Sequence, residues 1–198
     1  MKLGAPLILG AALLSTACGP LVQIGGNAEP PASLLTIAST APPPAATRGD
    51  PVLIAMPSVP GKLQTLRVPV TTATNEIKYL GSAAWIEQPN RLFQRVLAAQ
   101  FAAVTNRPAV DERTPDVVPS ARLSGTLTEF GLDVSGGSEV VVAYDAVLTS
   151  SRGGFVGSRH FEARRPATQE TGPAVAAALG EAANEVAASA AAWAAQGL

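Results

Sequence analysis

Two rhythms of apolar and polar positions run along this 198-residue chain, one of period two and one near 3.6. Glu139 to Thr149 alternates well, with Val140, Val142, Tyr144, Ala146 and Leu148 on one side, as a strand with one buried face requires. Ala121 to Phe130 alternates more loosely, and Phe155 to Arg164 forms a third strand. Gly136-Gly137 and Ser151-Arg152-Gly153-Gly154 are turn-like joins, so the three predict an antiparallel meander. Upstream, Pro51 to Met56 is a nearly continuous apolar run of strand length, which predicts a central strand buried on both faces. Leu66 to Thr71 and Glu76 to Leu80 flank Thr72-Ala73-Thr74-Asn75 and read as a hairpin. Pro69 has no N–H to give to a ladder, which demotes the first of these runs to a sheet edge. Ser33 to Ile37 is a further short strand candidate.

The helical rhythm appears twice. From Pro89-Asn90 onward, Phe93, Val96, Leu97, Phe101 and Val104 recur at i, i+3, i+4, while Arg91, Gln94, Arg95 and Ala98 fall elsewhere. Pro89 suits a first helical turn and Asn106-Arg107-Pro108 a stop. The second helix begins near Pro173 and is rich in alanine. Val175, Leu179, Ala182, Val186, Ala190 and Trp193 share a face, and Gly197 stands past the end. Gly180 inside it costs about 1 kcal/mol relative to alanine, which close packing of the helix on the sheet would explain. The expected fold is α+β in two layers, a mostly antiparallel sheet with two helices.

Composition narrows the function. Lys and Arg number 14 against 15 Asp and Glu, so no basic excess exists to neutralise nucleic-acid phosphates. One Cys and one His leave no disulfide framework and scarcely a zinc site. No cofactor is expected. The 17 Pro and 18 Gly point to loop or tether in part of the chain.

The N-terminus accounts for some of that. Lys2 precedes a mostly apolar run from Leu3 to Leu14, too short for a membrane span and interrupted by Pro6 and Gly10. Ser15-Thr16-Ala17-Cys18 follows and resembles the lipobox of bacterial lipoproteins, with Ser15 where leucine is usual. That resemblance implies cleavage before Cys18 and acylation of its thiol, the lipid serving as membrane anchor. Residues 1–17 are then a signal peptide, 18–32 a tether and 33–198 the folded domain. Cys18 to Pro31, about fourteen of these residues, reach at most on the order of 50 Å at ~3.3–3.6 Å each. Gly19, where aspartate often signals inner-membrane retention in enteric bacteria, favours the outer membrane, facing the periplasm.

From Leu63 to Phe101 the order of features is more specific. Leu63-Gln64-Thr65 precedes the hairpin, Trp85-Ile86-Glu87-Gln88-Pro89 follows it, and Leu92 stands near the start of the helix. This resembles the ABC-type transport auxiliary lipoproteins, the PqiC-like family, although Ser33-Leu34-Leu35-Thr36-Ile37 lacks the tyrosine pair usual before that leucine. The resemblance implies a non-enzymatic, membrane-tethered module that docks onto an MCE protein. Through that protein it would serve an ABC transporter that moves lipids between the two bacterial membranes. A general envelope-assembly lipoprotein of the same fold, or less readily a lipoprotein enzyme, are the alternatives.

The side chains offer little catalysis. His160 alternates with Phe161 in a strand and reads as a surface histidine with no serine partner identifiable. Glu181 and Glu185, at i, i+4, read as a solvated helix face, and Asp111-Glu112 is the other carboxylate pair. Trp85 is either a core plug closing the helix onto the sheet or an interface anchor. Arg91 and Arg95, one helical turn apart, are solvated or meet an acidic partner or lipid headgroup. Trp85, Arg91 and Arg95 are therefore the candidate partner interface. An exposed hairpin edge could pair with a partner strand or with another copy, giving a homo-oligomer.

Overall fold

The computed structural model describes residues 33–198. The signal peptide, the tether and Cys18 lie outside them. In chain order the elements are β1 (Val52–Ile54), a 3-10 turn (Gly61–Leu63), β2 (Arg67–Ala73), β3 (Glu76–Ala84), α1 (Pro89–Thr105), β4 (Ala109–Val110), β5 (Ala121–Asp133), β6 (Glu139–Ser150), β7 (Phe155–Pro166) and α2 (Gly172–Gln196).

The long strands form the predicted meander. β5 pairs antiparallel with β6 from Ala121–Ser150 to Asp133–Glu139, and β6 pairs antiparallel with β7. All five alternating residues from Val140 to Leu148 are buried. The other edge of β5 departs from expectation, because its neighbours there run parallel to it. β1 pairs with its N-terminal part and β2 with its C-terminal part, and β4 is parallel to β1. The sheet is thus mixed, antiparallel in its long pairings and parallel in the short ones. Parallel pairing needs a crossover, and α1 supplies it between β1 and β4.

Pro69 is not at an edge. β2 lies between β3 and β5, but its pairing with β5 begins only at Val70, and the β2–β3 register is irregular between Arg67 and Pro69. The proline occupies the one stretch where a missing N–H is tolerated. Gly131 of β5 makes room for it, since a Cβ there would stand 2.6 Å from the Pro69 carbonyl oxygen.

Ser33 to Ile37 forms no strand. Leu35 makes a single parallel bridge with Trp85, with Leu35 N–H donating to the Ala84 carbonyl at 2.7 Å and Ile86 N–H to the Leu35 carbonyl at 2.9 Å. The chain then leaves the sheet and runs as a strap along α2, Leu35 lying beside Gly172, Ile37 beside Gly180 and Thr40 bonded to Asn184. Extended backbone of this kind can bury Leu35 and Ile37 without a partner strand.

Both helices cover one face of the sheet and pack on each other. In α1, Phe93, Val96, Leu97 and Phe101 are buried as the periodicity requires, whereas Val104, in the last turn, is 48% exposed. Asn106 closes α1 in the left-handed region, at φ 54°. The buried side of α2 is mainly alanine, and such small side chains let it approach α1 and the sheet closely. Ala194 rather than Trp193 completes that buried side. Trp193 lies half-buried at its margin, 5.9 Å from the Phe161 ring.

Gly180 faces the strap and not the sheet, and a Cβ there would meet Ile37 at an ordinary 3.7 Å. Gly180→Ala should therefore raise stability by about 1 kcal/mol. A urea titration checks this, and a lower midpoint would show that the strap cannot accept the methyl.

One polar group interrupts the apolar helix layer. Asn184 of α2 is 6% exposed and fully engaged. Its Oδ1 accepts from Thr40 N–H at 2.8 Å, the Thr40 hydroxyl at 3.1 Å and Gln100 Nε2 of α1 at 2.9 Å. Its Nδ2 donates to the carbonyls of Ala38 at 2.9 Å and Gly180 at 2.8 Å. One side chain therefore fastens the strap to both helices.

Candidate functional site

Trp85 is 0% exposed, between β3 and α1, with its ring edge-on to Phe130 at 5.5 Å. Its N–H donates to the Leu66 carbonyl at 2.7 Å, while Nε1 is buried with no partner. Its place as an interface residue is corrected by this burial. A side chain with no accessible surface cannot anchor a partner, so Trp85 is the plug that closes helix onto sheet.

Arg91 and Arg95 do share a surface. Pro89 at the first helical position starts α1, and Gln94 Nε2 fixes the helix to β1 through the Ile54 carbonyl at 2.8 Å. The two arginines then project into a groove of about 450 Å³ lined also by Met56, Glu87, Asp111, Glu112 and Arg113. Arg95 is ion-paired with Glu87, just ahead of the helix, where a carboxylate also favours the helix dipole. Arg113 pairs with Asp111 at 3.0 Å, and Glu112 reaches Arg122 at 3.2 Å. Arg91 is exposed and forms no ion pair among the described residues. The groove is therefore of mixed charge, with one uncommitted cation.

The carboxylates considered for acid–base work are occupied otherwise. Asp111 is held below the usual carboxylate range, chiefly by the Arg113 side-chain hydrogen bond. Glu185 is ion-paired with Arg165 of β7, and Glu181 is exposed. Among the described residues no group of three or more His, Cys, Asp or Glu could hold a metal.

The sheet face away from the helices carries an ionic network absent from the sequence reading. Arg164 of β7 reaches Glu162 at 2.8 Å, Glu139 at 3.3 Å and Asp133 at 3.9 Å. Lys62 meets Glu129 at 2.5 Å beside a shallow cavity of about 270 Å³ under Pro69 and Gly131. His160 stands in the same face, Nδ1 lying 2.6 Å from Asp145 Oδ1 across the β6–β7 register and Nε2 3.7 Å from Glu162. Period-two alternation placed His160 on the surface, but its cross-strand partner depended on register.

The Asp145 hydrogen bond is the main reason that the His160 pKa is raised, with Glu162 adding to it. Because the folded value exceeds the unfolded one, the pair contributes stability below the free-imidazole value of about 6.5. That contribution is lost as pH rises through the folded value. An NMR titration should find the His160 midpoint above that of a free imidazole. Asp145→Asn should bring it down, and an unchanged midpoint would remove the cross-strand pair as its cause.

A family described as ABC-type transport auxiliary lipoprotein component matches residues 33–191. No curated protein matches the chain. Protein XCC0632 from Xanthomonas campestris has a similar structure, with a TM-score of 0.74 at 19% identity over 84% of this chain and 96% of that one. A crystal structure of an uncharacterized protein aligns with TM-score 0.62 at 16% identity, over 80% of this chain and 97% of that chain. The PelC dodecamer from Paraburkholderia phytofirmans gives TM-score 0.46 at 16% identity, over 78% of this chain and 93% of that chain. No helix among the described residues is long and apolar enough to cross a membrane.

Proposed function

Since the chain belongs to the ABC-type transport auxiliary lipoprotein component family, we propose that it is the lipid-anchored accessory subunit of an MCE-type system moving lipids between inner and outer membranes. The family match over 33–191 carries this reading, and it names a role in transport rather than a reaction. The anchor is the acylated thiol of Cys18, with 1–17 as the signal peptide and 18–32 as the tether that gives reach. The protein faces the periplasm, held at the outer membrane. The folded domain recognises the MCE component, with Arg91 and Arg95 on the exposed side of α1 as the candidate contacts. Arg91, having no ion pair among the described residues, is the better placed of the two to meet a partner carboxylate.

The test has two arms. A clickable palmitate analogue should label the wild type and not Cys18→Ala, and the variant should no longer fractionate with membranes. In a pull-down with the periplasmic part of the MCE protein, scrambling the tether at constant length should preserve binding. Arg91→Glu with Arg95→Glu should weaken it by about tenfold or more. Binding that survives charge reversal but disappears on scrambling would sink the assignment of these residues.

A further inference from the structure

The two ends of the molecule differ in chemistry. The strap joins the fold beside the first residues of α2, where Leu35 lies against Gly172. The 25 residues of α2 then run roughly 37 Å to the opposite end at 1.5 Å per residue. That far end is built from the start of β5, the end of β6 and the start of β7, since Ala121 pairs with Ser150 and Thr149 with Phe155. The last turn of α2 closes over it, with Trp193 beside Gly157 and Gly197 beside Leu148 and Val156.

Several exposed large apolar side chains fall at this end, and they come from separate segments. Phe155, the first residue of β7, is 69% exposed, with Val156 next to it. Val118, 87% exposed, is in the loop leading to Ser120, whose carbonyl receives Ser151 N–H at 2.8 Å. Leu198 follows α2, and half-buried Trp193 lies between these and the helix. They stand at the ends of a strand, a loop and a helix, and the cavity beside Trp193 is only about 190 Å³, too small to receive a folded element.

The charge at this end is also distinct. On the open sheet face Arg164 and Lys62 are committed to carboxylates. At the far end Arg48, Arg107 and Arg152 form no ion pair among the described residues. The acids there outside ion pairs are two, Asp50 and Asp116, against those three arginines. Exposed aromatic and aliphatic side chains with uncommitted guanidinium groups at the same end match the interface of an anionic bilayer. There the apolar groups enter the acyl boundary and the cations meet headgroup phosphates. The tether's maximum reach, on the order of 50 Å, exceeds the length of α2, so a domain anchored at one end can lay the other on the same membrane.

We propose that the end formed by Val118, Phe155, Val156, Trp193 and Leu198, with Arg107 and Arg152, is a second membrane contact that docks the folded domain on an anionic lipid surface. This contact rests on the lipid-anchor reading and adds to it, because it sets the orientation of the domain relative to the bilayer. The Arg91–Arg95 groove lies toward the start of α1 and is left clear for a partner.

The two tryptophans supply the measurement. The full-length acylated protein is reconstituted in vesicles of phosphatidylglycerol and brominated phosphatidylcholine, and bromine quenching is read from the emission. Trp193 should be quenched about twofold, while Trp85, sealed in the core, is unaffected, so Trp193→Phe should abolish the quenching. Phe155→Asp with Val118→Asp should remove it without changing flotation with the vesicles. Arg107→Glu with Arg152→Glu should remove its dependence on phosphatidylglycerol. Flotation with no Trp193 quenching overturns the second contact alone, and protection of Trp193 only on adding the MCE protein would assign this end to a protein partner instead. Failure to float overturns the anchor and with it this proposal.

Discussion

Asn184→Ala should lower the stability of the domain by about 2–4 kcal/mol and release the strap. The change strips partners from the Thr40 N–H and hydroxyl, the Gln100 amide and the Ala38 carbonyl. Each net hydrogen bond is worth about 1 kcal/mol, and a buried group left unsatisfied costs about 1–3 kcal/mol. Because water can enter where the strap lifts, the sum is capped well below the number of bonds. Two measurements separate strap release from general weakening. The urea midpoint should fall, and amide exchange should accelerate first in residues 35–41 while β5 and β6 stay protected. Loss of protection spread evenly over sheet and strap would show that Asn184 supports the whole domain and fastens no separate piece.

The largest expected effect belongs to a glycine. Gly125 of β5 has φ 155°, and a Cβ there would lie 2.0 Å from the Asp145 carbonyl oxygen and 2.9 Å from the Tyr144 ring. Tyr144 is fully buried and its ring lies tilted against Phe93 at 5.1 Å, so the bare backbone at Gly125 makes room for the ring that joins sheet to α1. On the other side the Gly125 carbonyl accepts Ser58 N–H at 3.0 Å, holding the chain that continues from β1. Neither neighbour can retreat without breaking one of these contacts. Gly125→Ala should therefore cost on the order of 4 kcal/mol or more, a large share of the ~5–15 kcal/mol that holds a domain folded. Soluble yield and a thermal melt report it. A variant melting within a few degrees of wild type would show that β5 can shift relative to β6, contrary to the packing described.

Much of the architecture was legible because it follows from contacts close in sequence. Helix α1 is announced by Phe93, Val96, Leu97 and Phe101 and bounded by Pro89 and Asn106, all local signals. The meander is announced by alternation and by glycine-rich turns between consecutive strands. The core role of Trp85 was one of two local readings, and burial decided between them. The family was readable from Leu63 to Phe101, where several features follow one another in fixed order, and the match over 33–191 bears it out.

Other features arise only when distant segments meet. Parallel neighbours leave no mark on a strand's own alternation, so the places of β1 and β2 beside β5 were invisible, and Pro69 misled because its tolerance depends on Gly131. Nothing in the residues around Asn184 distinguishes it from a solvated helix position, since Thr40, Ala38 and Gln100 lie 144, 146 and 84 residues away. The grouping of Val118, Phe155 and Trp193 at one end is likewise a product of register and of the direction of α2. The sequence by itself determined which of the longer segments become helix or strand and which face of each is apolar, because those depend on periodicity within a few residues. Tertiary structure alone decided which strands are neighbours, which polar groups are sealed between elements and which apolar groups stay outside, because each depends on residues far apart in the chain.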